Sequence, residues 1–255
     1  MSFQGFDKDF NLTNKVAVVT GGSSGIGNAI AKLYNEKGAK VALLDLKGTV
    51  KDDAAKIDKN NVTGIKTDVT EKSSVQDALN KTKSVLGKVD IVVNCAGVAL
   101  LEKAKDISEE DWDKTIDLNL KGTFLMNQIF GNELIDADNG GKIINMASQG
   151  GVVALDKHIA YNTSKAGIIM MTKVLGMEWA EYNIQVNAIS PTVVMTELGK
   201  KAWAGEIGEN MRKLIPAGRF GSPEEVAGVA LFLASNAADL ITGENVVIDG
   251  GYTIK

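Results

Sequence analysis

The chain has 255 residues, with 28 Lys or Arg against 32 Asp or Glu and a formal net charge of -4. That length suits one large domain with a full core, and the absence of a long basic run excludes a nucleic-acid backbone as a partner. A lone cysteine, Cys95, rules out an intramolecular disulfide; with a single histidine it argues against zinc, and no metal ligand is assigned.

Met1 to Asn11 carries three charged residues and no continuous apolar stretch, so neither a secretory signal nor a membrane span is expected and a cytoplasmic location follows. After this polar leader, Lys15–Thr20 reads as a strand and Ile26–Glu36 as a helix. Lys40–Asp45 is the next strand, Asp52–Asp58 a helix, Val62–Asp68 a strand and Ser73–Leu86 a helix before the strand Val89–Asn94. The second half keeps this rhythm. Trp112–Phe130 is helical, Gly141–Ala147 a strand, Ala160–Trp179 a long helix, Ile184–Ile189 a strand, Glu224–Ala234 a helix and Glu244–Asp249 a last strand.

Short apolar strands alternating with helical crossovers imply a doubly wound, Rossmann-like α/β fold whose mostly parallel sheet carries helices on both faces. No repeat, low-complexity tract or linker divides the chain, so residues 1–255 read as a single dinucleotide-binding catalytic domain. The less regular segment 193–220 is expected to be a substrate lid, with static surface packing as the alternative.

The turn Thr20-Gly-Gly-Ser-Ser-Gly-Ile-Gly27 lies between the first strand and the first helix. Glycines there permit a tight turn and close approach of a pyrophosphate, and the amides of the helix N-terminus favour the phosphates. Gly21, Ser24, Gly25, Ile26 and Gly27 are therefore the expected contacts, against an ordinary glycine-rich turn. Asp45 closes the second strand, 18 residues after Gly27, where a carboxylate can accept from the adenosine ribose hydroxyls and repel a 2′-phosphate. NAD(H) is accordingly preferred to NADP(H), although Lys47 lies near enough to leave some NADP use open, and Asp45 can also be read as a turn residue. Asp68 and Val69, after the third strand, and Asn94, Ala96 and Gly97, around the end of the fourth, are placed to line the adenosine and ribose passage.

Tyr161 and Lys165 are four positions apart at the start of a helix, hence stacked on one face. An ionised lysine there would favour tyrosinate and tune Tyr161 as an acid or base; a bare pair of this spacing is also an ordinary surface feature. Ser148, at the end of the preceding strand, can bond a substrate oxygen while Tyr161 exchanges its proton. Asn119 sits within a helix and can hold a water linking Lys165 to solvent, or simply be a satisfied core amide.

With these residues in place, the chain from Leu12 to Tyr252 resembles the short-chain dehydrogenase/reductase family in its one-domain form. The glycine-rich turn matches the family's cofactor motif, Asn94-Cys-Ala-Gly97 matches its Asn-Asn-Ala-Gly element except at Cys95, and Asn119, Ser148, Tyr161 and Lys165 match its catalytic set. The resemblance implies further cofactor contacts from Tyr161 and Lys165, and places Ile189, Pro191, Val194 and Thr196 on the nicotinamide side. Thr192 stands where many members have glycine. The run Pro191-Thr-Val-Val-Met-Thr196 followed by Trp203 is similar to the L-xylulose, polyol and sugar-alcohol dehydrogenases, which implies reversible oxidation of a four- to six-carbon polyol to its ketose.

Gln149 and His158 are expected as substrate hydroxyl partners beside Ser148 and Tyr161, and Trp203 as one wall; His158 can equally be structural. Competing readings are reduction of a 3-oxoacyl thioester, suggested by Gly218-Arg-Phe-Gly-Ser-Pro-Glu-Glu225, a sugar-phosphate dehydrogenase using Lys200, Lys201 or Arg219, and a noncatalytic NAD-binding protein. The family's usual homotetramer is implied, with helices around Asn119 and Tyr161 at one interface and Gly250-Gly-Tyr252 near another. Ile168, Met171 and Val174 mark either that interface or a sheet-facing stripe.

Overall fold

The computed structural model describes residues 5–255, and of Leu198 the backbone alone; Met1–Gln4 of the polar leader lie outside the described residues. Seven strands form one parallel sheet: β1 (Val16–Thr20), β2 (Lys40–Asp45), β3 (Val62–Lys66), β4 (Ile91–Asn94), β5 (Gly141–Met146), β6 (Ile184–Pro191) and β7 (Asn245–Ile248), in the order β3-β2-β1-β4-β5-β6-β7. β1 is buried along its whole length, as a central strand covered on both faces must be. The order reverses between β1 and β4, so their carboxyl ends open a crevice at the topological switch point, where such sheets take their ligands.

Helices close both faces. On one side α1 (Gly25–Glu36), α2 (Val50–Ile57) and α9 (Pro223–Ala234) pack Ile30, Tyr34, Ala54, Ala227 and Leu231 against the sheet. Ser222 and Glu225 form a reciprocal capping box that starts α9 ahead of Pro223. The phenol of the fully buried Tyr34 donates to the Ala230 carbonyl at 2.8 Å, tying α1 to α9. On the other side lie α3 (Lys72–Leu86), α5 (Gly122–Asp136) and α6 (Ile159–Glu178), with Leu79, Phe130, Leu134 and Ile168 inward. Each such aliphatic or aromatic side chain contributes about 1.5–3 kcal/mol by leaving water.

The structure departs from the expected elements in three places. The single helix expected over Trp112–Phe130 is two, α4 (Glu109–Ile116) and α5, joined by a π-helical turn at Asp117–Lys121. α4 begins early because the Ser108 side chain accepts from the Asp111 amide and three acidic residues fill the first turn. β3 stops at Lys66, before Asp68, whose carboxylate folds back to accept from the Thr70 amide and hydroxyl at 2.9 and 2.7 Å. The irregular segment after Val193 holds two helices, α7 (Glu197–Ala202) and α8 (Gly205–Lys213), too short to show a clear apolar period. Its ends are clamped where Met195 donates to the Gly221 carbonyl and Gly221 to that of Val193, at 2.9 and 3.0 Å.

Candidate active site

β1 delivers the glycine-rich turn and β4 the Asn94-Cys-Ala-Gly97 turn, and the two are stitched together. Thr20 Oγ1 accepts from the amides of both Cys95 and Ala96 at 3.0 Å. Gly21, at φ +64°, lies so close that a β-carbon there would stand 3.2 Å from the Ala96 nitrogen. Gly25, at φ +58°, would carry a β-carbon 3.2 Å from the Thr196 methyl, and one on Gly27 would stand 2.6 Å from the Gly21 carbonyl oxygen. Side chains at these positions would fill the cradle, so the turn presents bare backbone at the N-terminus of α1, beginning with Ser24 and Ile26. That is the surface a pyrophosphate needs.

Asp45 emerges from β2 beside this turn. One carboxylate oxygen accepts from the Ser23 amide and the other from the Lys47 amide, each at 3.1 Å, and Lys47 Nζ donates to Ser24 Oγ at 3.0 Å. Val69 is buried against Gly122. Asn94 is buried and donates to the side-chain oxygens of Asn127 and Asn145, each at 2.8 Å. Its own oxygen, Gln149 Oε1 and Thr192 Oγ1 are buried with no hydrogen-bond partner among the described residues. All three follow or end strands at the same edge of the sheet, as acceptors awaiting a bound donor would. The bare glycine cradle and the unpartnered oxygens of Asn94 and Thr192 fit a dinucleotide. When bound, its nicotinamide exchanges a hydride with the reacting carbon.

Ser148, Tyr161 and Lys165 meet at this edge from β5 and α6. Ser148 follows β5 and opens the 3-10 turn Gln149–Gly151, its Oγ accepting from the Gly150 amide at 3.1 Å. The buried Lys165 reaches back to donate to the Met146 carbonyl at 2.7 Å, and its Nζ stands 5.6 Å from the Tyr161 ring centre. Burial pushes the Tyr161 phenol above its ordinary range, and the neighbouring Ser148 hydroxyl opposes that shift. Burial also pushes Lys165 down to about 8. Removal from water is the larger effect at each group, and Ser148 offsets it at the phenol.

Asn119 is fully buried in the π-helical turn. Its side chain accepts from the Val98 amide at 2.8 Å and donates to the Val98 carbonyl at 2.9 Å and to Ser164 Oγ at 3.1 Å, so it is a satisfied amide as well as a neighbour of the site. A β-carbon on Gly97 would lie 3.1 Å from Asn119 Oδ1 and 3.7 Å from Lys165 Nζ; these three positions share one spot. Sequence alone assigns no site role to Thr20, Met146 or Ser164. Thr20 had a signal, a polar residue ending an otherwise apolar strand; the Met146 role belongs to a backbone carbonyl and had none.

His158 stands at the N-terminus of α6, its ring 5.9 Å from that of Tyr161, while Nδ1 contacts the Asp156 carbonyl. Gln149 is buried next to Ser148. Pro191 ends β6, and Val194 is bridged to Gly221. Thr196 caps α7 by accepting from the Gly199 amide at 3.0 Å. Trp203 packs at 6.0 Å on Phe220, which also carries the Arg212 guanidinium at 5.4 Å. Of the apolar positions on α6, Ile168 faces the core, whereas Met170 and Val174 are exposed. Among the described residues no cluster of His, Cys, Asp and Glu suits a metal ion, and no helix is long and apolar enough to cross a membrane.

Residues 21–253 match a family model described as enoyl-(acyl carrier protein) reductase. The chain is 65% identical to an NAD-dependent glycerol dehydrogenase of Listeria innocua over 100% of both sequences, and 51% identical to a D-threitol dehydrogenase of Mycolicibacterium smegmatis over 98% of this chain and 96% of that one. A crystal structure of a short-chain type dehydrogenase/reductase from Mycobacterium marinum superposes with a TM-score of 0.90 at 35% identity, covering 96% of this chain and 98% of that one. In sequence and in fold, the chain belongs to the short-chain dehydrogenase/reductase family.

Proposed function

We propose that this protein is an NAD(H)-dependent polyol dehydrogenase that interconverts a secondary alcohol of a small polyol with its ketone. The observation that carries the reading is the meeting of Ser148, Tyr161 and Lys165 at the edge of the sheet where the glycine cradle lies. In the oxidative direction Ser148 orients the substrate hydroxyl, Tyr161 takes its proton, and Lys165 and Asn119 keep the phenol in register. Asp45 supports NAD(H), since its carboxylate stands by the turn where a 2′-phosphate would be repelled. The glycerol and threitol dehydrogenases among its relatives support a short polyol. Gln149, with its unpartnered buried oxygen, and His158 are assigned to substrate hydroxyls and Trp203 to the substrate wall. Asp68, Val69, Asn94, Ala96, Gly97, Pro191, Val194 and Thr196 are assigned to the cofactor, and 193–220 to the lid. A homotetramer is supported by exposed Phe124, Met170 and Met177 on α5 and α6 and by Leu240 and Ile254 near the C-terminus. We assign the protein to cytoplasmic carbohydrate metabolism.

Initial rates with glycerol, tetritols, pentitols and their ketoses, beside 3-oxoacyl thioesters, each with NAD(H) and NADP(H), test this reading. Turnover of a three- to six-carbon polyol with NAD(H) is expected. Efficient thioester reduction with no polyol turnover would sink the substrate assignment and leave the proton chemistry standing.

A further inference from the structure

Ser164 is fully buried between the two elements that carry the site. Its Oγ donates to the Tyr161 carbonyl at 2.7 Å, bracing the turn of α6 that presents the phenol, and accepts from Asn119 Nδ2 at 3.1 Å. Asn119 spends its other amide hydrogen on the Val98 carbonyl and its oxygen on the Val98 amide. The chain of bonds thus runs from Val98, next to Gly97 in the β4 turn, through Asn119 and Ser164 to the backbone of Tyr161. It closes around the spot where Gly97, Asn119 and Lys165 meet. The side chain bonded on the α6 side belongs to the immediate neighbour of Lys165.

We propose that Ser164 is a positioning residue, holding the Tyr161–Lys165 turn of α6 against the π-helical turn of Asn119 so that phenol and ammonium keep one geometry. The proposal rests on the assignment of Tyr161 and Lys165 as the proton-transfer pair. Removing the hydroxyl leaves a buried Asn119 N–H without an acceptor and frees the Tyr161 carbonyl of its second bond. Reacting groups tolerate little misplacement, so the loss falls on the rate of the bound complex rather than on binding.

The test compares S164A, S164T and Y161F with the wild type in kcat, KM and the pH profile of kcat, and follows hydrogen exchange of cofactor-free protein over residues 117–123 and 159–165. The Lys165 ammonium and the His158 ring are the groups that stand beside the Tyr161 ring. For S164A we expect kcat to fall about tenfold or more with both KM values within about twofold, a displaced pH profile and faster exchange in both segments. S164T, which keeps the hydroxyl, should recover kcat and the profile. If S164A keeps the wild-type kcat and profile, or loses rate only in proportion to its folded fraction, while Y161F is inactive, the positioning role is overturned and the catalytic assignment survives. If Y161F itself turns over at the wild-type rate, the catalytic assignment fails and the proposal with it.

Discussion

Lys165 holds its Nζ 5.6 Å from the centre of the Tyr161 ring, with its proton directed at the Met146 carbonyl 2.7 Å away. An ammonium kept out of water with one strong acceptor is costly to the fold, and its titration reports the cost. The folded-state value is about 8 against an ordinary 10.5, so below pH 8 both folded and unfolded chains carry the proton and the penalty is fully present. Between 8 and 10.5 the unfolded chain binds the proton and the folded chain does not, and stability rises with pH.

K165M should therefore gain stability at neutral pH. The shift corresponds to about 3 kcal/mol; losing the bond to Met146 returns about 1 kcal/mol, leaving a net gain of about 2 kcal/mol. Melting K165M and wild type at pH 7 and pH 10 tests this: the variant should melt higher at pH 7, with the difference shrinking toward pH 10. An equal difference at both pH values would mean that the charge is not the source. Activity should be lost at either pH, since the charge serves the site and not the fold.

Y161F removes the phenol and leaves the ring in its packing. The expected loss in kcat is about 10²–10⁴-fold, the usual contribution of a positioned acid or base, with little change in melting temperature. Because burial raises the wild-type phenol, alcohol oxidation, which needs the deprotonated form, should climb with pH into the alkaline range. Ketone reduction should be favoured at neutral and lower pH. Steady-state rates in both directions from pH 6 to 10 measure this, and oxidation that falls as pH rises would contradict Tyr161 as the base.

Strand and crossover alternation made the parallel sheet legible from sequence, because each strand is a short apolar run between polar punctuation, as in Val16–Thr20 and Ile91–Asn94. The turn residues and Tyr161, Lys165 and Ser148 were legible for the same reason: glycine spacing and helical spacing are local. What stayed hidden depends on contacts distant in sequence. Nothing near Ser164 indicates that Asn119, 45 positions earlier, will bond it, and the π-helical turn at Asp117–Lys121 leaves no periodic break that distinguishes it from one continuous helix. The two short helices after Val193 leave no such pattern, because six and nine residues span too few turns for a stripe to emerge.

Gly27 tests the cradle. Its conformation is ordinary helix, so an added methyl would be harmless in isolation, but here it would stand 2.6 Å from the Gly21 carbonyl oxygen and 3.2 Å from that of Thr20. G27A must open the turn to relieve the clash. A stability loss of about 1–3 kcal/mol is expected, with NADH affinity, read by fluorescence titration, falling about tenfold or more as the pyrophosphate amides splay. Unchanged NADH affinity would show that the cofactor's phosphates lie elsewhere.

Asp45 is the residue proposed to select between the two dinucleotides. Its carboxylate is already held by the Ser23 and Lys47 amides, so it is fixed in place before any ligand arrives and meets a 2′-phosphate as a rigid negative charge. D45N keeps the size and one acceptor oxygen and deletes the charge. Ribose hydroxyls then lose a charge-assisted partner, a bond of about 1.5–3 kcal/mol, so kcat/KM with NAD should fall roughly 10- to 100-fold. With NADP the repulsion is gone, and Lys47, whose Nζ already lies 3.0 Å from Ser24 Oγ at the mouth of the turn, is free to swing onto the phosphate. The ratio of kcat/KM for NADP over NAD should rise about tenfold or more, and K47A added to D45N should take back most of the NADP gain. A ratio that stays at the wild-type value would place the adenosine ribose away from Asp45 and remove the structural ground for NAD preference.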